Sequence, residues 1–104
     1  MTVDAFAAVA EPQRRRILDR LRTGQASVGE LVDQLNLPQP MVSKHLKVLR
    51  EAGFVTVEIV AQKRIYRLAP GPFQHLEGWL LPYLRLWSRH LDALGRHLDN
   101  KESS

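Results

Sequence analysis

Cysteine is absent from the 104 residues. Disulfide bonds, thiolate nucleophiles and every cysteine-containing metal site are therefore excluded. Long apolar runs are missing as well, since no stretch approaches the roughly 20 residues that span a bilayer. The opening residues, Met1-Thr2-Val3-Asp4-Ala5-Phe6, carry no basic n-region of a secretory signal, so a cytoplasmic protein is expected. No glycine-rich loop that would cradle a phosphate is present; the glycines are scattered, several of them at caps and turns. No Ser/His/Asp set and no paired carboxylate site stands out. An enzyme is not expected, and neither a catalytic residue nor a cofactor is assigned. Repeats and linkers are absent too, so residues 1–104 read as one domain with a single modest core.

What the chain has is positive charge, a formal +4 at neutral pH. That favours an acidic partner, most simply nucleic acid. The stretch that gives this charge a purpose is Gln39-Pro40-Met41-Val42-Ser43-Lys44-His45-Leu46-Lys47-Val48-Leu49-Arg50. Its spacing predicts a helix from Pro40 to about Ala52. Pro40 suits a first helical position, and Gly53 suits the left-handed residue just past the end. Val42, Leu46 and Leu49 form one apolar stripe, while Ser43, Lys44 and Lys47 point elsewhere and Arg50 flanks the stripe. Such a helix, held down on one side and polar on the other, fits a major-groove reader. It equally fits an ordinary amphipathic surface helix with a basic face.

The neighbouring segments favour the groove reader. Thr2 to Ala10 reads as a short helix anchored by Phe6. Glu11-Pro12 restarts the chain into a second helix, to about Arg22, with Ile17, Leu18 and Leu21 inward and Gly24 at the C′ position. Arg14-Arg15-Arg16 is read as a solvated basic face for at least two of the three. Ser27-Val28-Gly29-Glu30 has the form of a capping box, opening a third short helix with Leu31, Val32 and Leu35 as its apolar positions. Leu37-Pro38-Gln39 then joins it to the basic helix. Two short helices separated by about three residues have the layout of a helix-turn-helix.

Past Gly53 the period changes. Val55, Val57 and Ile59 alternate with polar residues, and Ile65-Tyr66-Arg67-Leu68 is the return strand. Val60-Ala61-Gln62-Lys63-Arg64 lies between them as a basic tip of unspecified register. A hairpin in this position is a wing. After Ala69-Pro70-Gly71-Pro72, a long helix is expected from about Phe73 to Asp99. Leu76, Leu80, Leu84, Trp87, Leu91, Leu94 and Leu98 recur by fours and threes along it, and Trp79, Tyr83 and Leu86 widen this seam. The seam is too long for the chain's own core and implies a second copy. Pro82, four residues after Gly78, is expected to kink the helix.

Three segments carry a resemblance. Ala10-Glu11-Pro12-Gln13-Arg14-Arg15-Arg16-Ile17-Leu18, Val28-Gly29-Glu30-Leu31 and the run from Gln39 to Gly53 resemble the ArsR/SmtB winged-helix transcriptional regulators. The resemblance runs from Phe6 to about Leu98. It implies a mainly α fold with a small β-hairpin, a homodimeric winged helix-turn-helix. Residues 1–10 and 73–99 would be dimerisation helices, 28–52 the helix-turn-helix and 54–68 the wing. It further implies a repressor that binds a palindromic operator and blocks polymerase. Two departures stand out. Pro38 and Gln39 precede the recognition helix where many members have serine, so its N-cap is poor. The metal-ligating cysteines of sensing members are missing, and His75, His90 and His97 do not match the family's spacing on the last helix. That implies a branch with no metal.

The expected site follows. Gln39 and Ser43 are candidates for base edges. Lys44, Lys47, Gln62, Lys63 and Arg64 are candidates for the phosphate backbone, with Pro40 and Arg50 on the same DNA-binding helix. His45 could reach a base or a phosphate, or simply fill the helix boundary. Val3, Phe6, Leu80, Leu84, Trp87, Leu91, Leu94 and Leu98 are the expected dimer contacts. Two other readings stay open: a metal- or ligand-responsive sensor of the same family, and a winged helix used for protein–protein contact.

Overall fold

Capping chemistry sets most of the element boundaries. The structure is a computed structural model that describes residues 4–88. Helix α1 spans Ala5–Ala10. It starts later than the expected Thr2 because Asp4 is extended and caps it, accepting from the Phe6 N–H at 3.1 Å. Helix α2 spans Pro12–Leu21, with Pro12 at its start and Glu11 accepting from the Gln13 N–H at 2.9 Å. Gly24 does adopt positive φ, but it lies one residue beyond the expected C′ position because Arg22 is the C-cap.

In the arginine triplet Arg15 and Arg16 are exposed, as expected for two of the three, but the side chains also have partners that the spacing did not announce. A helix leaves its last four carbonyls without intrahelical donors. In α1 those are the carbonyls of Ala7, Ala8, Val9 and Ala10, and arginines reach all four. Arg14 donates to the Ala8 and Ala7 oxygens at 2.7 and 3.1 Å. Arg15 donates to those of Val9 and Ala10 at 2.8 and 3.1 Å. Arg16 donates to the Leu35 carbonyl at 2.8 Å, at the end of the next helix in the chain. All three side chains hold helix ends in place.

Strand β1, Ala26–Ser27, runs into helix α3, Val28–Leu35. The capping box is complete: Ser27 Oγ accepts from the Glu30 N–H and Glu30 Oε1 from the Ser27 N–H, both at 3.2 Å. Hydrogen bonding from the Ser27 N–H first, and then from the Ser27 side chain, holds the Glu30 carboxyl below its usual pKa. Asn36 closes α3 in the left-handed conformation at φ 54°. Helix α4, Gln39–Glu51, follows after Pro38. Its N-cap has no side-chain hydrogen bond, as expected of Pro38, and the Met41 and Val42 N–H groups share the Pro38 carbonyl at 3.1 Å each. The first turn of α4 is nonetheless formed in the protein alone.

Helix α4 ends in a Schellman motif. Phe54 N–H donates to the Leu49 carbonyl at 2.9 Å and Gly53 N–H to that of Arg50 at 3.0 Å, with Gly53 at φ 85°. Leu49 and Phe54, the two residues that bracket the motif, are both fully buried.

Strands β2, Val55–Val60, and β3, Lys63–Leu68, form the wing, and β1 pairs with β3 to give an antiparallel sheet in the order β1-β3-β2. The two-residue β1 was not expected. The hairpin register pairs Val60 with Lys63, so the turn is only Ala61-Gln62. Lys63 and Arg64 are strand residues rather than loop. Both turn residues have positive φ, 49° and 70°, the signature of a type I′ turn. Neither is the Asn or Gly that this conformation favours.

The core draws on every layer: Ala8, Ile17, Leu18, Leu21, Leu31, Val42, Leu46, Leu49, Phe54, Val55 and Tyr66 among others. Helix α5, Gly71–Leu86, contributes least, with no buried residue. Leu76 packs on the core from outside, and Phe73 meets Phe54 edge-on at 4.9 Å. Phe6 anchors α1 as expected, with its ring edge-on to Trp79 at 5.2 Å and to His75 at 5.9 Å. Trp79, Leu80, Tyr83, Leu84, Leu86 and Trp87 stay exposed. Pro82 lies inside α5 and, lacking an N–H, deprives the Gly78 carbonyl of its amide partner. The helix expected from Phe73 to Asp99 begins at Gly71 and closes at Leu86, where Trp87 leaves helical geometry as its C-cap; of the expected dimer contacts, Val3, Leu91, Leu94 and Leu98 lie outside the described residues, as do residues 89–99 of that expected helix.

Gly53→Ala places a Cβ in the left-handed region and 3.4 Å from Pro72 Cγ. It should destabilise the fold by about 1 kcal/mol, lowering Tm by roughly 4–8 °C in a thermal melt.

Candidate nucleic-acid interface

The rotation of α4 is fixed by its buried stripe. Val42, Leu46 and Leu49 have no exposed surface, so the opposite face of the helix must look outward. That face is divided in two. Gln39, Ser43, Lys47 and Arg50, spaced by fours and a three, lie along one flank. There they line a groove of about 910 Å³ together with Gln62, Lys63 and Arg64 of the wing. The far wall is the start of α3, with Ser27, Val28, Gly29, Glu30 and Asp33. Seven of the ten expected DNA-binding residues therefore share one concave surface. The other three, Pro40, Lys44 and His45, line a separate cleft of about 570 Å³ with Glu11, Gln13, Pro38 and Met41.

Charge separates the two kinds of cation in this chain. Arg14, Arg15 and Arg16 are spent on carbonyls. Arg20 donates to Gln34, to Thr23 Oγ1 at 3.2 Å and to the Gly24 carbonyl at 3.0 Å, with Glu30 4.0 Å away. Arg67 pairs with Glu58 across the wing at 2.8 Å, a diagonal cross-strand contact. Lys47, Arg50, Lys63 and Arg64 have no hydrogen bond from their side chains and no ion pair among the described residues. They are exposed, and they converge on the groove. Cations left uncommitted around a concavity concentrate positive potential there. The two carboxylates on the α3 wall, Glu30 and Asp33, oppose that field in part, and neither was expected from the spacing of the basic residues.

Shape and chemistry fit a DNA duplex. The exposed flank of α4 offers an amide and a hydroxyl, Gln39 and Ser43, which can meet base edges. The cations and Gln62 can meet phosphate oxygens. The turn at Ala61-Gln62 carries the wing out from the body, where Ile59 and Val60 are exposed. No group of three or more His, Asp or Glu side chains converges among the described residues. His90 and His97 lie outside them.

His45 is half-buried. Its Nδ1 is shut off from solvent and has no hydrogen-bond partner among the described residues. Burial is the main cause holding its pKa below the usual value. Arg14 acts in the same direction, Glu11 opposes it and Lys44 reinforces it.

Comparison with known proteins agrees with this geometry. The family model described as bacterial regulatory protein, arsR family, matches residues 11–57, from the cap of α2 into the wing. The HTH-type transcriptional repressor SmtB of Mycobacterium tuberculosis is 48% identical over 73 residues, 70% of this chain. The match covers 54% of that repressor, so the chain spans about half the length of that relative. The HTH-type transcriptional regulator Rv2034 of the same organism is 36% identical over 97 residues, covering 93% of this chain and 88% of the relative. Among solved structures, one described as a possible transcriptional regulator for arsenical resistance superposes with a TM-score of 0.71 at 32% identity, over 92% of this chain and 97% of that one.

Proposed function

The chain belongs to the arsR family of bacterial regulatory proteins, and from that premise we propose that it is a sequence-specific DNA-binding transcriptional repressor acting as a homodimer. The single observation that carries the reading is the meeting of four uncommitted cations, Lys47, Arg50, Lys63 and Arg64, with Gln39 and Ser43 in one groove between α4 and the wing. Each subunit inserts α4 into a major groove. The wing lies along the adjoining backbone. Two subunits related by a twofold axis read half-sites about one helical turn, roughly 10 bp, or a multiple of it apart.

Gln39 and Ser43 carry base preference in this reading, and Lys47, Arg50, Gln62, Lys63 and Arg64 carry affinity. Pro40 is the second residue of the helix and bears no contact of its own chemistry beyond its ring. Pairing falls to α1 and α5. Phe6 is already packed on Trp79 and His75 within the chain. The exposed row Leu80, Leu84 and Trp87 is what a second copy would cover, extended by Val3, Leu91, Leu94 and Leu98. No metal or cofactor enters the scheme, and the protein has no catalytic step to perform.

The sorting of roles is checked on paired duplexes, one containing the operator and one random. Ser43→Ala should lose about 1 kcal/mol of discrimination between them. Lys63→Ala should weaken both by the same factor. Equal losses on both duplexes for both variants contradict the sorting. Leu80→Glu combined with Leu84→Glu should give a folded monomer in sedimentation, with operator affinity reduced about a hundredfold or more through loss of the second contact. A monomer that keeps wild-type affinity contradicts the dimer.

A further inference from the structure

The recognition helix has a second flank, which carries Lys44, a candidate for the phosphate backbone, and His45, and which stands apart from the wing groove. A helix seated in a major groove about 12 Å wide has a sugar–phosphate strand on each side. The wing groove accounts for one strand only. On the other side is the cleft formed by Glu11 and Gln13 at the start of α2 and by Pro38, Pro40, Met41, Lys44 and His45 at the start of α4. Lys44 is exposed and has no hydrogen bond or ion pair from its side chain among the described residues. Glu11 is turned into its own helix, accepting from the Gln13 N–H. His45 Nδ1 is shut off without a partner. Nε2 is therefore the ring nitrogen left to meet a ligand.

Resting on the DNA-binding reading, we propose that this cleft is a second phosphate seat, in which Lys44 and His45 Nε2 hold the DNA strand on the flank of α4 away from the wing, and that the imidazole takes up a proton as the strand arrives. An N–H on Nε2 donates to a phosphate oxygen, and the phosphate charge favours the imidazolium. The charged groups around the ring are Arg14 on α2, Glu11 at its cap and Lys44 on α4. In the free protein burial and the two cations keep the ring neutral near pH 7, with Glu11 alone opposing them. A phosphate in the cleft reverses that balance. The bound protein then has the higher pKa, so DNA affinity rises as pH falls through the bound value and levels off below the free one. This makes the seat a clamp on the second strand and links operator occupancy to proton concentration.

The test uses the full chain and an operator duplex. Wild type should bind about fivefold to tenfold more tightly at pH 5.5 than at pH 8. His45→Gln keeps a polar side chain of similar reach but cannot titrate, and should flatten that dependence while His75, His90 and His97 remain as background. Single methylphosphonate substitutions, which remove one phosphate charge at a time, should weaken wild type at positions on both strands flanking α4. In Lys44→Gln, whose exposed side chain is not needed for folding, positions on the strand away from the wing should lose their effect while those beside the wing keep theirs. A pH profile shared by wild type and His45→Gln, or methylphosphonate effects unaltered by Lys44→Gln, overturns the seat. A protein that binds no duplex at any pH fails the DNA-binding reading instead.

Discussion

Val42, Leu46 and Leu49 lie wholly inside the core, and their burial sets how far α4 is turned about its axis. Each such side chain contributes roughly 1.5–3 kcal/mol on burial, so rotating the helix to expose the stripe would cost a large share of the stability of a domain this size. The outward face is thereby fixed, and Gln39, Ser43, Lys47 and Arg50 have one place to be. The Schellman motif at Gly53 fixes the exit of the chain by the same route. It buries Phe54 against the core and aims β2 away from the helix end. The groove between α4 and the wing is thus a by-product of core packing. Its width is set by residues that touch no ligand.

The arginines divide sharply by role. Five of them, Arg14, Arg15, Arg16, Arg20 and Arg67, have their guanidinium groups occupied by carbonyls, side-chain oxygens or a carboxylate within the fold. A short helix such as α1 cannot satisfy its own final carbonyls, and two guanidiniums from α2 do it instead. That ties α1, which also packs on α5 through Phe6, to the helix that supports α4. Of the described cations left over, Lys44, Lys47 and Arg50 stand on α4 and Lys63 and Arg64 on the wing, while Arg22 at the end of α2 and Arg85 on α5 are exposed away from the groove. Counting basic residues would overstate the charge available to a partner; following their hydrogen bonds identifies which are available.

The helix-turn-helix was legible because it rests on local rules: a capping box at Ser27-Glu30, a left-handed glycine after α4 and apolar residues at helical spacing. The wing was legible as alternation but not in register, since Ala61 and Gln62 take positive φ without the residues that announce it. Strand β1 was not legible. It is two residues long and exists only because β3 offers an edge that lies far away in sequence. The role of Arg14-Arg15-Arg16 was hidden for the same reason, their acceptors being on other helices or in the preceding turn. Nine of the ten DNA-binding candidates are exposed on α4 or the wing, and His45 is half-buried. Their division into a groove of seven and a cleft of three depends on where the wing and the start of α2 stand beside α4, which no spacing within α4 reveals.

The family model matches the segment from the cap of α2 into the wing, the part that builds the groove. The central claim is that this groove meets the phosphate backbone with cations otherwise unoccupied. It is tested most directly by the salt dependence of duplex binding. The account predicts that the logarithm of the affinity falls linearly with the logarithm of salt concentration, with a slope of about −0.9 for each phosphate neutralised, and that this slope becomes shallower when Lys47, Arg50, Lys63 and Arg64 are replaced together by glutamine. A slope near zero, or one unchanged by those four replacements, would contradict it.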